Sequence, residues 1–184
     1  MIPACRICAG SVNSRDIVLR CGSSLKLHCC SSCDYEFFVE DPIKGLKADS
    51  LDKSRLASAG LCIPAPEEDF KNGARQARSY IDECFAGGSV QGNVLEVGCS
   101  WGYFLESVKS EVQGSVIGIE VNDIRREFVK STLGLDCYSS IAECAKNKIK
   151  FEKIFLFYVI EYFVNPVREL SLLTEMLDAG GELI

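Results

Sequence analysis

Val94-Leu-Glu-Val-Gly98-Cys-Ser-Trp-Gly102-Tyr-Phe-Leu105 is an apolar strand that runs into a glycine turn and then into a helical pattern. Gly98 and Gly102 carry no Cβ, so a ligand can approach the backbone there, and N–H groups at a helix start can face polar ligand atoms. The next apolar run ends Ile117-Gly-Ile-Glu120, which brings a carboxylate to the same crevice, placed to accept hydrogen bonds from ribose hydroxyls. A dinucleotide fingerprint needs glycine at the third and sixth positions counted from Gly98. Those positions hold Ser100 and Tyr103, so the nicotinamide reading fails twice.

Strand and helix patterns alternate on both sides of this stretch. Upstream, Glu67, Glu68 and Asp69 open a helix whose apolar positions are Phe70, Ala77, Tyr80, Ile81, Cys84 and Phe85, closed by Gly87-Gly88. Downstream come strand 94–98, helix 101–110, strand 115–120, helix 123–133 closed by Gly134, strand 135–139, helix 141–147, strand 153–160, a helix after Asn165-Pro166 and a strand from Glu182. This alternation predicts an α/β fold: a mostly parallel sheet of about five strands flanked by helices, Rossmann-like in its winding.

The amino-terminal segment has a different pattern. Cys5-x2-Cys8 and Cys30-x2-Cys33 bracket two strand-like runs, 16–20 and 25–29, joined at Cys21-Gly22-Ser23-Ser24. A hairpin brings the two pairs together, and four thiolates suit a structural Zn²⁺ with no open coordination position. Cys29 could replace Cys30 after a register shift, and His28 or Cys21 could be drawn in. Cys62, Cys84, Cys99, Cys137 and Cys144 read as small buried hydrophobes. The expected organisation is a zinc ribbon over 1–40, a connector rich in Pro and Gly over 41–66, and the α/β domain over 67–184.

Eleven cysteines in 184 residues would suit a secreted disulfide scaffold. Here six lie in the first 33 residues behind a start without a basic leader or apolar stretch, so metal ligation in a reducing, cytoplasmic setting fits better. No apolar run approaches the roughly 20 residues of a membrane span. The net charge of −6 and a ribbon with four basic and four acidic residues in its first 40 positions argue against a nucleic-acid partner.

Beyond composition, the Glu96-x-Gly98-x-Ser100-x-Gly102 run resembles the first motif of class I S-adenosylmethionine methyltransferases, with Ser100 in place of the central glycine. Phe151-Glu-Lys-Ile-Phe-Leu-Phe-Tyr-Val-Ile-Glu-Tyr-Phe-Val-Asn-Pro166 is similar to that family's fourth strand and following loop, and Leu177-Asp-Ala-Gly-Gly-Glu-Leu-Ile184 to its entry into the fifth. The three motifs stand in family order and cover about 67–184. The departures are Tyr162 where histidine is usual, Glu152 for aspartate and Ala179 for proline.

The resemblance implies S-adenosylmethionine as cofactor. Gly98, Cys99, Ser100, Gly102 and Tyr103 would hold its methionine part, with Glu96 orienting the amino group or serving as a buried acid bonded to the turn. Glu120 and Val121 would meet the ribose, and residues near Ser139 to Ile141 the adenine. Phe157 and Tyr158 would lie near the sulfonium unless they are core aromatics. Glu161 and Tyr162 are the acid–base candidates, or Glu161 is a solvated loop carboxylate. A ribbon ahead of such a domain resembles sugar C-methyltransferases and a group of ribosomal RNA guanine methyltransferases. The acidic charge favours a small-molecule acceptor, such as a nucleotide-linked sugar or related metabolite. The resemblance also implies a seven-strand fold of which this chain would hold five strands, leaving a sheet edge open to self-association and a non-catalytic binding module as the competing reading.

Overall fold

The computed structural model describes residues 4–18, 24–38 and 88–184, together with residues 71, 73, 75, 77, 80, 81 and 85. The connector over 41–66, the turn residues Cys21 to Ser23, and Phe70, Cys62 and Cys84 lie outside the described residues. The chain forms two compact units.

The first unit is a three-stranded antiparallel ribbon in the order β1-β2-β3, with β1 Val12–Val18, β2 Ser24–Cys30 and β3 Glu36–Phe38. The first two strands pair from Val12 against Cys30 to Val18 against Ser24. They begin earlier than the apolar runs suggested, because the polar residues Asn13 to Arg15 still join the ladder. The third strand is an addition to the expected hairpin: Phe37 is buried against Cys5, Val12 and Cys30, and stacks on His28 and Tyr35. His28 is itself buried, with Nδ1 2.7 Å from the Ser14 hydroxyl.

The second unit is the expected α/β layer structure, with β4 Val94–Val97, α1 Tyr103–Val108, β5 Val116–Ile119, α2 Asp123–Ser131, β6 Asp136–Tyr138, α3 Ile141–Lys146, β7 Phe151–Phe155, α4 Pro166–Met176 and β8 Leu177–Leu183. Its sheet is parallel throughout, in the order β6-β5-β4-β7-β8. Every residue of β4 and β5 is buried, as parallel strands covered on both faces must be. Alternation divides them between two cores. Val94, Val116, Cys137 and Phe155 pack on one face with Phe104, Leu105 and Val129, while Leu95, Val97, Ile117, Ile119 and Ile154 pack on the other with Ile141, Cys144 and Leu173. Ala77, Ile81 and Phe85, three of the six apolar positions of the upstream helical pattern, join the first core, with Tyr80 packed against it.

Most elements of this unit start or end within two residues of the sequence reading, as with β7, which begins at Phe151 rather than 153, and two boundaries differ more. Strand β7 ends at Phe155 rather than running to 160; beyond it Tyr158 takes a left-handed conformation (φ 49°) and the chain enters a 3-10 turn over Ile160–Tyr162. Strand β8 starts at Leu177, five residues before the expected Glu182. The Asp178-Ala-Gly-Gly segment forms an irregularity in the ladder, and regular pairing resumes with Glu182 opposite Lys153. Among the described residues no helix is long and apolar enough to cross a membrane.

Candidate functional site

The chain winds outward from β4 through β5 to β6, then returns to the other side of β4 to form β7 and β8. Reversal of this kind leaves a crevice beyond the carboxyl ends of β4 and β7, where parallel α/β sheets bind ligands. Gly98 follows β4, and Val159 lies beyond β7. A Cβ built on Gly98 would sit 3.0 Å from Val159 Cγ2, so the two loops meet at this point.

The turn after β4 is held by left-handed residues at Gly98 (φ 77°), Ser100 (φ 52°) and Gly102 (φ 75°). Gly102 precedes α1, and a Cβ there would press to 2.8 Å from Leu133 Cδ1. Four backbone donors of the turn are satisfied inside the protein. Gly98 and Cys99 N–H both donate to the Ile119 carbonyl, at 2.8 and 3.0 Å, and Gly102 N–H donates to the Cys99 carbonyl at 2.8 Å. Ser100 N–H donates to Glu120 Oε2 at 2.9 Å. These four N–H groups are thus engaged by protein acceptors. Gly98 lies directly against Val159, so that even a Cβ there would meet it, and acceptors stand beside the turn.

Two buried carboxylates supply those acceptors. Glu120, one residue beyond β5, accepts from Ser100 N–H and, through Oε1, from Asn122 N–H at 2.7 Å. Each oxygen keeps a further lone pair. Glu96 is 4% exposed, and its Oε2 has no hydrogen-bond partner. Burial, with smaller contributions from Cys137 and Glu120, pushes the Glu96 carboxyl up to about 8. An unpartnered buried carboxyl oxygen is costly, and a cationic or hydrogen-bond-donating ligand group would relieve it.

The remaining expected residues divide into wall and rim. Phe157 packs with Tyr80 (ring centroids 4.4 Å apart), Phe104 (4.9 Å) and Phe155 (5.4 Å), which is the behaviour of a core aromatic. Tyr158 is exposed beside Val159, and its hydroxyl accepts a 3.3 Å hydrogen bond from Tyr80. The Tyr103 ring lies against Gly73, where a Cβ would come within 2.3 Å of it. Val121 is exposed next to Glu120, and Glu161 and Tyr162 are exposed on the 3-10 turn. Ser139 N–H and hydroxyl both donate to Glu143, capping α3 together with Ser140. Sequence reasoning missed Tyr80 and Val159 as neighbours of this crevice: Tyr80 was legible only as one apolar position on a helix, and Val159 only as part of a strand.

A second constellation lies in the ribbon. Sγ atoms of Cys5, Cys8, Cys30 and Cys33 all fall within 4.8 Å of one another, with contacts of 3.7 Å for Cys5–Cys33 and 3.5 Å for both Cys8–Cys30 and Cys8–Cys33. A zinc ion with bonds of about 2.3 Å to four sulfurs in a tetrahedron separates the sulfurs by about 3.8 Å. The two Cys-x2-Cys segments form matching turns. Ala9 N–H donates to the Cys5 carbonyl and Asp34 N–H to the Cys30 carbonyl. Ala9 (φ 57°) and Asp34 (φ 56°) are both left-handed. Ile7 and Ser32 N–H point at Cys5 and Cys30 Sγ, at 3.4 and 3.3 Å, and the Ser32 donor draws the Cys30 thiol down to about 6. Of the alternatives left open, His28 is committed to Ser14 and Phe37, and Cys29 lies outside the cluster.

Residues 70–184 match the family model described as a methyltransferase domain. The chain belongs to that family. No curated protein matches the chain. Among solved structures, the plantazolicin methyltransferase BpumL, in complex with a pentazolic desmethylPZN analog and SAH, is 18% identical, with 71% of this chain and 51% of that chain covered at a TM-score of 0.50. A SAM-dependent methyltransferase from Archaeoglobus fulgidus is 23% identical, with 62% and 51% covered and a TM-score of 0.49. DesVI of Streptomyces venezuelae is 17% identical, with 62% and 49% covered and a TM-score of 0.45. The chain spans about half the length of these structures. Its α/β unit thus has the class I methyltransferase fold, and its ribbon carries a four-cysteine cluster able to hold a metal.

Proposed function

We propose that the chain is a zinc-ribbon methyltransferase that transfers a methyl group from S-adenosylmethionine to a small-molecule acceptor such as a nucleotide-linked sugar or related metabolite. The observation that carries the cofactor reading is the partnerless, buried Oε2 of Glu96, which lies in β4 two residues before the left-handed turn at Gly98. A methionine ammonium supplies the donor and the charge that this oxygen lacks. Glu120 retains lone pairs for two ribose hydroxyls, with Val121 beside it. Cys99, Ser100, Gly102 and Tyr103 shape the floor, Phe157 backs the wall, and Tyr158 stands at the mouth.

When bound, the cofactor supplies a methyl group on a sulfonium, already activated for displacement. The chain's contribution is then alignment, which alone can account for a large share of the rate. Glu161 and Tyr162 are the groups proposed to take or hold the acceptor's proton, in a site that lacks the imidazole usual in the family. Zn²⁺ on Cys5, Cys8, Cys30 and Cys33 is proposed as structural, with every ligand position filled by sulfur. The proposed limits are 1–40 for the ribbon, 41–66 for the connector and 67–184 for the transferase domain.

The test is calorimetric titration of the zinc-loaded chain with S-adenosylhomocysteine, with Gly98→Arg as control. Saturable binding by the wild type, abolished by the arginine that fills the space facing Val159, supports the reading. A folded wild-type chain that binds nothing refutes it.

A further inference from the structure

Cys99 and Cys137 belong to elements that are not neighbours in the sheet. Cys99 is in the turn after β4, Cys137 is in β6, and β5 runs between them. Their sulfurs nevertheless approach to 3.7 Å. The residue of β5 beneath them is Gly118, paired with Cys137 in the ladder, and a Cβ there would lie 2.6 Å from Cys99 Sγ and 3.2 Å from Cys137 Sγ. Only glycine lets the two sulfurs meet across the intervening strand. Cys144, the other buried cysteine among this unit's described residues, packs in the core on the opposite face.

We propose that Cys99 and Cys137 form a redox-sensitive pair whose oxidation to a disulfide closes the cofactor site. The inference rests on the cofactor reading above. A low-molecular-weight disulfide such as oxidised glutathione supplies the chemistry. One cysteine thiolate attacks it, forming a mixed disulfide and expelling one thiol. The second cysteine then displaces the other thiol, so that two electrons and two protons leave the protein and one S–S bond forms. A disulfide bond is about 2.05 Å long, so the sulfurs must close by well over an ångström from their present contact.

That closure draws on the turn, because Cys137 is fixed in a strand while Cys99 adjoins Gly98 and Ser100. Movement of Cys99 disturbs the paired bonds from Gly98 and Cys99 N–H to Ile119 and the bond from Ser100 N–H to Glu120, which hold the crevice in shape. Both cysteines are about 1% exposed, so reagent reaches them only when this turn opens. A ligand held by the closed turn must therefore slow the oxidation, and oxidation must weaken the ligand by linkage.

The experiment treats the full zinc-loaded chain with oxidised glutathione, maps disulfides by non-reducing peptide mass spectrometry, and measures S-adenosylhomocysteine binding before and after. The expected result is a Cys99–Cys137 linked peptide, at least tenfold weaker binding reversed by dithiothreitol, and slower linkage with S-adenosylhomocysteine present. Cys137→Ala should keep its binding after the same treatment, and Cys144→Ala should respond as wild type. No linked peptide, linkage without loss of binding, or equal loss in Cys137→Ala would each overturn the proposal. A reduced chain that binds no S-adenosylhomocysteine strikes at the cofactor reading instead, and the peptide map still decides whether the pair forms.

Discussion

Replacing Glu96 with glutamine tests the central electrostatic feature of the crevice. In the unfolded chain this carboxyl ionises near its ordinary value of 4.5, whereas in the folded chain burial holds the proton up to about 8. Between those values the unfolded state has lost a proton that the folded state keeps, so stability falls as pH rises through the window. The slope is about 1.4 kcal/mol per pH unit, which accumulates to about 3 kcal/mol by pH 7. Glutamine does not ionise and carries no such slope. Urea unfolding at pH 5, 6, 7 and 8, followed by fluorescence of Trp101, the single tryptophan and itself buried, reads the difference directly. The wild type should lose stability relative to Glu96→Gln by roughly 1.4 kcal/mol per unit. Parallel pH profiles for the two proteins would refute both the buried neutral carboxyl and the argument that it awaits a cationic partner.

Other outcomes follow from the same geometry. Binding of S-adenosylhomocysteine at pH 7 should release close to one proton from Glu96, visible as a dependence of the calorimetric enthalpy on the ionisation enthalpy of the buffer and absent in Glu96→Gln. Gly102→Ala combines an unfavourable positive φ with a Cβ pressed on Leu133, and should cost about 1–3 kcal/mol in the same urea assay. Asn122→Ala removes the cap that accepts Arg125 N–H at the start of α2, for a loss of about 1 kcal/mol by thermal unfolding. Cys30→Ser should reduce bound zinc, measured by elemental analysis after gel filtration, from one per chain to near none; retention of zinc would remove Cys30 from the ligand set.

The layered architecture was legible because parallel strands buried on both faces leave unbroken apolar runs, as in Val94–Val97 and Val116–Ile119, and because glycines punctuate the helices between them. The four metal-type cysteines were legible from spacing alone. The end of β7 was not: its apolar run continues to Ile160, but the strand stops at Phe155, ahead of a left-handed Tyr158 and a 3-10 turn that nothing in the run announces. The destination of the turn's backbone donors was equally hidden. Whether Ser100 N–H faces a ligand or Glu120 depends on a carboxylate 20 residues away that the linear pattern placed only nearby. The contact between Cys99 and Cys137 required knowing that Gly118 lies between them, since each cysteine taken alone reads as a small apolar filler.

The matching turns of the ribbon have a consequence for how its hairpin finds its pairing. Cys29 and Cys30 are adjacent, and successive residues of a strand point to opposite faces, so a slip of one residue between β1 and β2 exchanges which of the two sulfurs faces Cys5 and Cys8. A slipped hairpin also moves Ser32 and Asp34 out of the turn that mirrors Ile7 and Ala9. An ion gripped by four sulfurs thereby acts as a proofreader of strand alignment: the correctly paired chain is rewarded with the full tetrahedron, and its near-misses are left to unravel.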